Sequence, residues 1–199
     1  MDGLRDLTFI VCSVLAREVQ SFLSLDYPDA EQLYLDSVLH LYPEKLYKTI
    51  ETFLATREDR SCVLIYGDCN AHMKVMSQRP HCERTMAVNC GELLLGADLY
   101  RAYRNAKAFL FLPEWTERWR YIFQQELGFA KPSLAQEFMQ ENQRSLVYLD
   151  TGLMPVPWQH LQEISEFFNM PTKVVAVSTD HLRQSVQAAV QRLESKNKI

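Results

Sequence analysis

Short runs of β-branched and aromatic residues alternate with longer stretches whose apolar residues recur at helical spacing, and this alternation constrains the chain more than any other feature. Leu7-Thr8-Phe9-Ile10-Val11 predicts a strand buried on both faces and ending at Cys12, with Ser13 capping a helix that carries Leu15, Val19, Phe22 and Leu23. A second run spans Gln32 to Leu35. Pro43 opens a helix with Leu46, Ile50, Phe53 and Leu54 on one face, ending near Glu58. Further strands are expected at Cys62–Tyr66, Thr85–Val88, Ala108–Leu112, Leu146–Leu149 and Lys173–Val177. Between them, helical faces are built from Leu93, Leu94, Ala97, Tyr100 and Tyr103, and from Leu161, Ile164, Phe167 and Phe168; Ser178 or Thr179 caps a last helix to about Ser195. Strands joined by helical crossovers favour parallel pairing. The expected fold class is therefore α/β: one domain over residues 1–199, with a mostly parallel sheet of about six or seven strands and helices on both faces. A helical covering segment is expected around 114–142, one helix through Trp119, Ile122, Phe123 and Leu127 and another through Leu134, Phe138 and Met139.

With 199 residues, 47% of them apolar and 23% charged, the chain is neither disordered nor fibrous. Its charge of -4 is spread without a basic stripe, so nucleic acid is not an expected partner. The apolar run Leu7–Leu15 is too short to span a bilayer, and Asp2, Arg5 and Asp6 before it are unlike a secretory leader, so a cytoplasmic chain without membrane contact is expected. Five cysteines in such a chain are better read as free thiols or thiolate ligands than as a disulfide framework.

In an open parallel sheet, ligands bind beyond the carboxyl ends of the strands. Six strands are followed there by Cys12-Ser13; Asp36, Ser37 and His40; Gly67-Asp68-Cys69; Asn89-Cys90-Gly91-Glu92; Pro113-Glu114-Trp115; and Asp150-Thr151-Gly152. Gly67, Gly91 and Gly152 are half of all the glycines, at places where tight turns or close backbone approach to a ligand need them. No dinucleotide fingerprint, phosphate-cradling loop, C-x-x-C or H-E-x-x-H is present, so the layout is Rossmann-like without that fold's nucleotide signature. The sharper reading takes Cys12, Cys69 and Cys90, with His40 as a fourth donor, as ligands of a soft metal or metal cofactor assembled by the fold. The blander one takes cysteine as a small apolar residue that fills space beside strands. Cys62 is expected in the core and Cys82 on the surface. Ser13, Gly67, Asp68, Gly91, Glu92, Trp115, Asp150, Thr151 and Gly152 are candidate ligand-binding residues around the same edge. Asp68 and Glu92 serve equally as helix caps, and Trp115 equally as a packing residue.

Cys12 with Leu15 and Glu18, Leu39-His40 with Pro43-Glu44, Tyr66-Gly67-x-Cys69, Cys90 with Leu93-Leu94-Leu95-Gly96, and Asp150-Thr151-Gly152 together resemble the domain of unknown function 1638 family over roughly residues 8 to 180. Ser13, Asn89 and Glu114 depart from the glycine, aspartate and glycine usual there. The resemblance implies that the edge cysteines belong to the family's pattern, and it links the family to corrinoid-dependent methyltransferases of one-carbon metabolism. Two functions follow as expectations. One is a thiolate-ligated zinc or iron–sulfur site, with a corrinoid protein or methyltransferase as partner. The other is a non-catalytic module that holds a small metabolite through backbone N–H groups at Gly67, Gly91 and Gly152.

Overall fold

The computed structural model describes residues 6–57 and 60–196. Among them are seven strands, every neighbouring pair parallel, divided between two sheets of four and three strands. The chain is mixed α/β, as its alternating pattern requires. It forms two compact units, residues 1–94 with 179–199, and residues 95–178.

The first unit holds β1 (Leu7–Cys12), α1 (Ala16–Asp26), β2 (Glu31–Leu35), α2 (Pro43–Ala55), β3 (Ser61–Ile65), α3 (Met73–Met76), β4 (Cys82–Arg84) and α4 (Cys90–Leu95), whose last residue falls to the second unit. The strand order is β2-β1-β3-β4. Every residue of β1 is buried, and so are four of the five in β3, which is why both read as continuous apolar runs without alternation. α2 starts at Pro43, where a missing N–H costs nothing, and buries Leu46, Ile50 and Leu54. The expected end of this helix near Glu58 lies outside the described residues.

The fourth strand differs from expectation. Its ladder pairs Cys62 with Cys82, Val63 with Glu83 and Leu64 with Arg84, three residues before the segment whose composition favours a strand. Thr85 ends it: its hydroxyl donates to the Tyr66 carbonyl at 2.8 Å and accepts from the Tyr66 N–H at 3.2 Å. Met86 and Val88 beyond it are largely exposed. Glu83 and Arg84 are tolerated in a buried strand because each has an ionic partner, Lys196 at 3.1 Å from the Glu83 carboxylate and Asp68 beside the Arg84 guanidinium. Cys82 is accordingly buried in β4 and is no surface thiol, while Cys62 opposite it is buried as expected.

The second unit holds α5 (Ala97–Asn105), β5 (Ala108–Phe111), α6 (Pro113–Glu117), α7 (Pro132–Asn142), β6 (Ser145–Asp150), α8 (Trp158–Phe168) and β7 (Thr172–Ala176), in the sheet order β5-β6-β7. The single helix expected through Trp119 and Leu127 is broken. After α6 the chain forms a π-helical turn, Tyr121–Glu126, in which the Leu127 N–H reaches the Ile122 carbonyl at 2.9 Å. It leaves helical geometry at Gly128, whose φ of +74° suits glycine. The core here is aromatic: Phe123 meets Phe111 at 5.6 Å and Phe168 at 5.1 Å between ring centroids, and Phe168 meets Phe167 at 5.0 Å.

The first unit is completed by α9 (Asp180–Lys196), which buries Leu182, Val186, Ala189, Val190 and Leu193. It also stitches β4 down. Lys196 donates to the carbonyls of Cys82 at 3.0 Å and Ser77 at 2.8 Å, and Arg192 donates to that of Arg84 at 2.7 Å.

Candidate functional site

Three of the candidate thiols meet. Cys12 is the last residue of β1, Cys69 sits in the loop after β3, and Cys90 is the first residue of α4. Cys90 is the hub: Cys12 and Cys69 act on it directly, and it is the group that acts most strongly on Cys69. The Gly67 backbone lies against both Cys69 and Cys90 and favours their thiolate forms. The protons of Cys69 and Cys90 are nevertheless hard to remove. The bond to Cys12, reinforced by burial, holds the Cys90 thiol well above the ordinary thiol range, and the bond to Cys90 does the same for Cys69.

This meeting depends on Gly67. A Cβ at that position would overlap the Asn89 backbone, coming within 2.6 Å of its carbonyl carbon and amide nitrogen. The loops before Cys69 and before Cys90 therefore pack backbone to backbone, and the Asp68 N–H donates to the Ala87 carbonyl at 3.0 Å beside them. Asn70, 4% exposed, pins the other side of the Cys69 loop: it donates to the Pro43 carbonyl at 2.6 Å and accepts from the His72 N–H at 2.8 Å.

Tyr66, the residue after β3, is 2% exposed, and among the described residues its phenol oxygen has no hydrogen-bond partner. Burial raises its pKa well above the ordinary phenol value, and charges on Cys12, Cys90, Cys69 and Asp36 would raise it further, so the side chain lies among these groups. A buried hydroxyl without a partner costs about 1–3 kcal/mol, an expense folded proteins usually avoid. Sequence reading placed Tyr66 at a strand end and in the Tyr66-Gly67-x-Cys69 motif without giving it a role, and took Asn70 as a loop residue. The available signal was their position beside Gly67 and Cys69.

The remaining candidates are placed as follows. His40 lies in a 3₁₀ turn, Ser37–Leu41, with its Nδ1 2.5 Å from the Ser37 carbonyl oxygen. It is not among the groups that act most strongly on Cys69, Cys90 or Tyr66. Ser13 accepts the Ser37 N–H at 2.8 Å, tying the end of β1 to that turn. Asp68 pairs with Arg84. Glu92 and Asn89 cap α4 reciprocally, the Glu92 N–H donating to Asn89 Oδ1 at 2.9 Å and the Glu92 carboxylate accepting from the Val88 N–H. Gly91 is buried in the first turn of the same helix. Trp115, Asp150, Thr151 and Gly152 belong to the second unit. There Trp115 packs edge-on against Phe123, and Asp150 accepts the Gly152 N–H at 2.9 Å in a tight turn.

Among the described residues, no group of three or more His, Cys, Asp and Glu side chains is arranged so that it could hold a metal ion as it stands. A tetrahedral site would require the three thiol sulfurs to turn toward a common point about 2.3 Å from each.

No helix among the described residues is long and apolar enough to cross a membrane. No curated protein and no solved structure matches the chain. The model of the family described as protein of unknown function DUF1638 matches residues 34–186, well over half of the sequence and including His40, Cys69, Cys90 and the Asp150-Thr151-Gly152 turn; the chain belongs to that family.

Proposed function

We propose that Cys12, Cys69 and Cys90 form a soft-metal centre that takes zinc or an iron–sulfur cluster in place of the thiol protons. The observation that carries this reading is the Tyr66 phenol, buried without a partner among three thiols and Asp36. Thiolates are the donors such metals prefer, and a group bound between them would give the phenol a neighbour to hydrogen-bond. The single Gly67 N–H beside Cys69 and Cys90 suits anionic thiolates. His40 stays a candidate fourth donor, since an Nδ1–H given to Ser37 would leave Nε2 as the lone pair. The wider role, assisting methyl transfer with a corrinoid protein or methyltransferase, is supported only by the resemblance of sequence. The alternative of a metabolite cradle built from glycine N–H groups has less behind it, because the N–H groups of Gly67 and Gly152 already have partners within the chain.

Metal analysis of protein purified without oxygen tests the proposal. The expected content is about one zinc, or the iron of one cluster, per chain, lost in Cys90→Ser. Affinity should rise with pH, because binding must expel the protons held on Cys69 and Cys90. Metal content unchanged in both Cys69→Ser and Cys90→Ser would end the assignment.

A further inference from the structure

At the other end of β3 and β4, away from the thiol cluster, lies a hollow of about 350 Å³ with Arg57, Arg60 and Arg79 in its lining and Cys62 and Cys82 beneath them. Among the described residues, its lining includes three arginines and no acidic residue. Among the described residues, the carboxylates that pair with these arginines are Glu31 and Glu51, both outside the lining. Glu31 is gripped by Arg57 through two N–H groups at 3.1 and 3.3 Å, and Arg60 adds a third contact to the same carboxylate at 3.1 Å. Glu51 accepts from Arg79 at 2.6 Å. Each arginine retains N–H donors beyond those its carboxylate uses. The floor does not repel an anion: burial pushes the Cys62 thiol up to about 11 and the Cys82 thiol up to about 12, so both are neutral. Leu54, Ala55 and Pro80 supply apolar surface beside the charges. The volume suits a small molecule.

We infer that this hollow is a binding site for a small organic dianion, a phosphate monoester or a dicarboxylate, whose oxygens are held by Arg60 and Arg79 and whose carbon body rests on Leu54, Ala55 and Pro80. Arg60 is the key donor, because Glu31 remains paired through Arg57 when Arg60 turns to a ligand. The site is independent of the thiol centre and does not rest on metal binding.

Calorimetric titration of the full chain at low ionic strength with phenyl phosphate, and separately with phthalate, tests this and distinguishes the two kinds of dianion. Saturable one-site binding of at least one is expected, weakened by added salt. Arg60→Gln should weaken it about tenfold, the loss of a charge-assisted bond, without unfolding the chain. Arg79→Gln should act in the same direction, and Glu51→Gln, which releases Arg79, should tighten binding. Cys69→Ser should leave it unchanged. The inference is overturned if neither probe saturates, if Arg60→Gln and Arg79→Gln both bind as the parent does, or if Cys69→Ser abolishes binding.

Discussion

The two units share a layout, a parallel sheet flanked by helices, yet they fill it with different chemistry. All five cysteines lie in the first unit and none in the second, where Phe111, Phe123, Phe167 and Phe168 form the core around β5 and β6. The carboxyl ends of the strands differ in the same way. After β6, Asp150 closes the turn on itself: its side chain takes the Gly152 N–H and its carbonyl takes the Val177 N–H at 2.8 Å. After β1 and β3, thiols gather and a phenol is left without a hydrogen-bond partner. Buried polar atoms outside any hydrogen bond also occur in the second unit, on β6, α8 and β7. A parallel sheet therefore offers a site at its edge without imposing one. What sets the first unit's edge apart is the gathering of three thiols beside a buried phenol.

The contrast can be broken by exchanging its causes. Phe168→Ala removes a fully buried ring from the aromatic core, and a loss of about 3–5 kcal/mol in urea unfolding is expected. Its metal content and thiol reactivity should match the parent's. A change in either would mean that the first unit's chemistry is not its own. Gly67→Ala should do the reverse at smaller scale, costing about 1–3 kcal/mol by overpacking against Asn89 while sharply lowering metal content, since Cys69 and Cys90 are then pushed apart. Retention of full metal loading in that variant would show that the two loops can separate freely. The smallest effect concerns the cysteines away from the centre. Burial raises Cys62 from 9.0 to about 11, so its contribution to stability is complete below pH 9 and is lost as pH rises from there toward 11, when the unfolded thiol ionises and the folded one does not. An alkaline decline of about 1–2 kcal/mol is expected, and Cys62→Ala should flatten part of it. An unchanged alkaline slope in that variant would remove Cys62 from the account.

Most strands were legible because β1, β3, β5 and β6 are continuous apolar runs that turn chemistry bounds sharply. β4 was not. Its Glu83 and Arg84 look like loop residues, and only the distant Lys196 and the neighbouring Asp68 make them tolerable in a sheet. Thr85-Met86-Ala87-Val88 has the composition of a strand but no ladder. Cys82 was misplaced for the same reason. The π-helical turn at Tyr121–Glu126 escaped because its apolar residues keep ordinary helical spacing. At the candidate site, the proximity of Cys12, Cys69 and Cys90 followed from reading strand ends as one edge. Tyr66 did not, since nothing local distinguishes a phenol that finds a partner from one that does not. The arginine-lined hollow was invisible too: Arg57, Arg60 and Arg79 are far from any motif, and only the pairing of Cys62 with Cys82 brings their segments together.

The bond from Lys196 to the Cys82 carbonyl joins residues 114 positions apart, with the whole of the second unit between them in sequence. During synthesis, β4 thus emerges long before the helix that neutralises Glu83 and covers its edge. A growing chain must carry an uncovered edge strand with a buried-type acid until α9 has been made, and premature termination just before α9 would strip β4 of that cover.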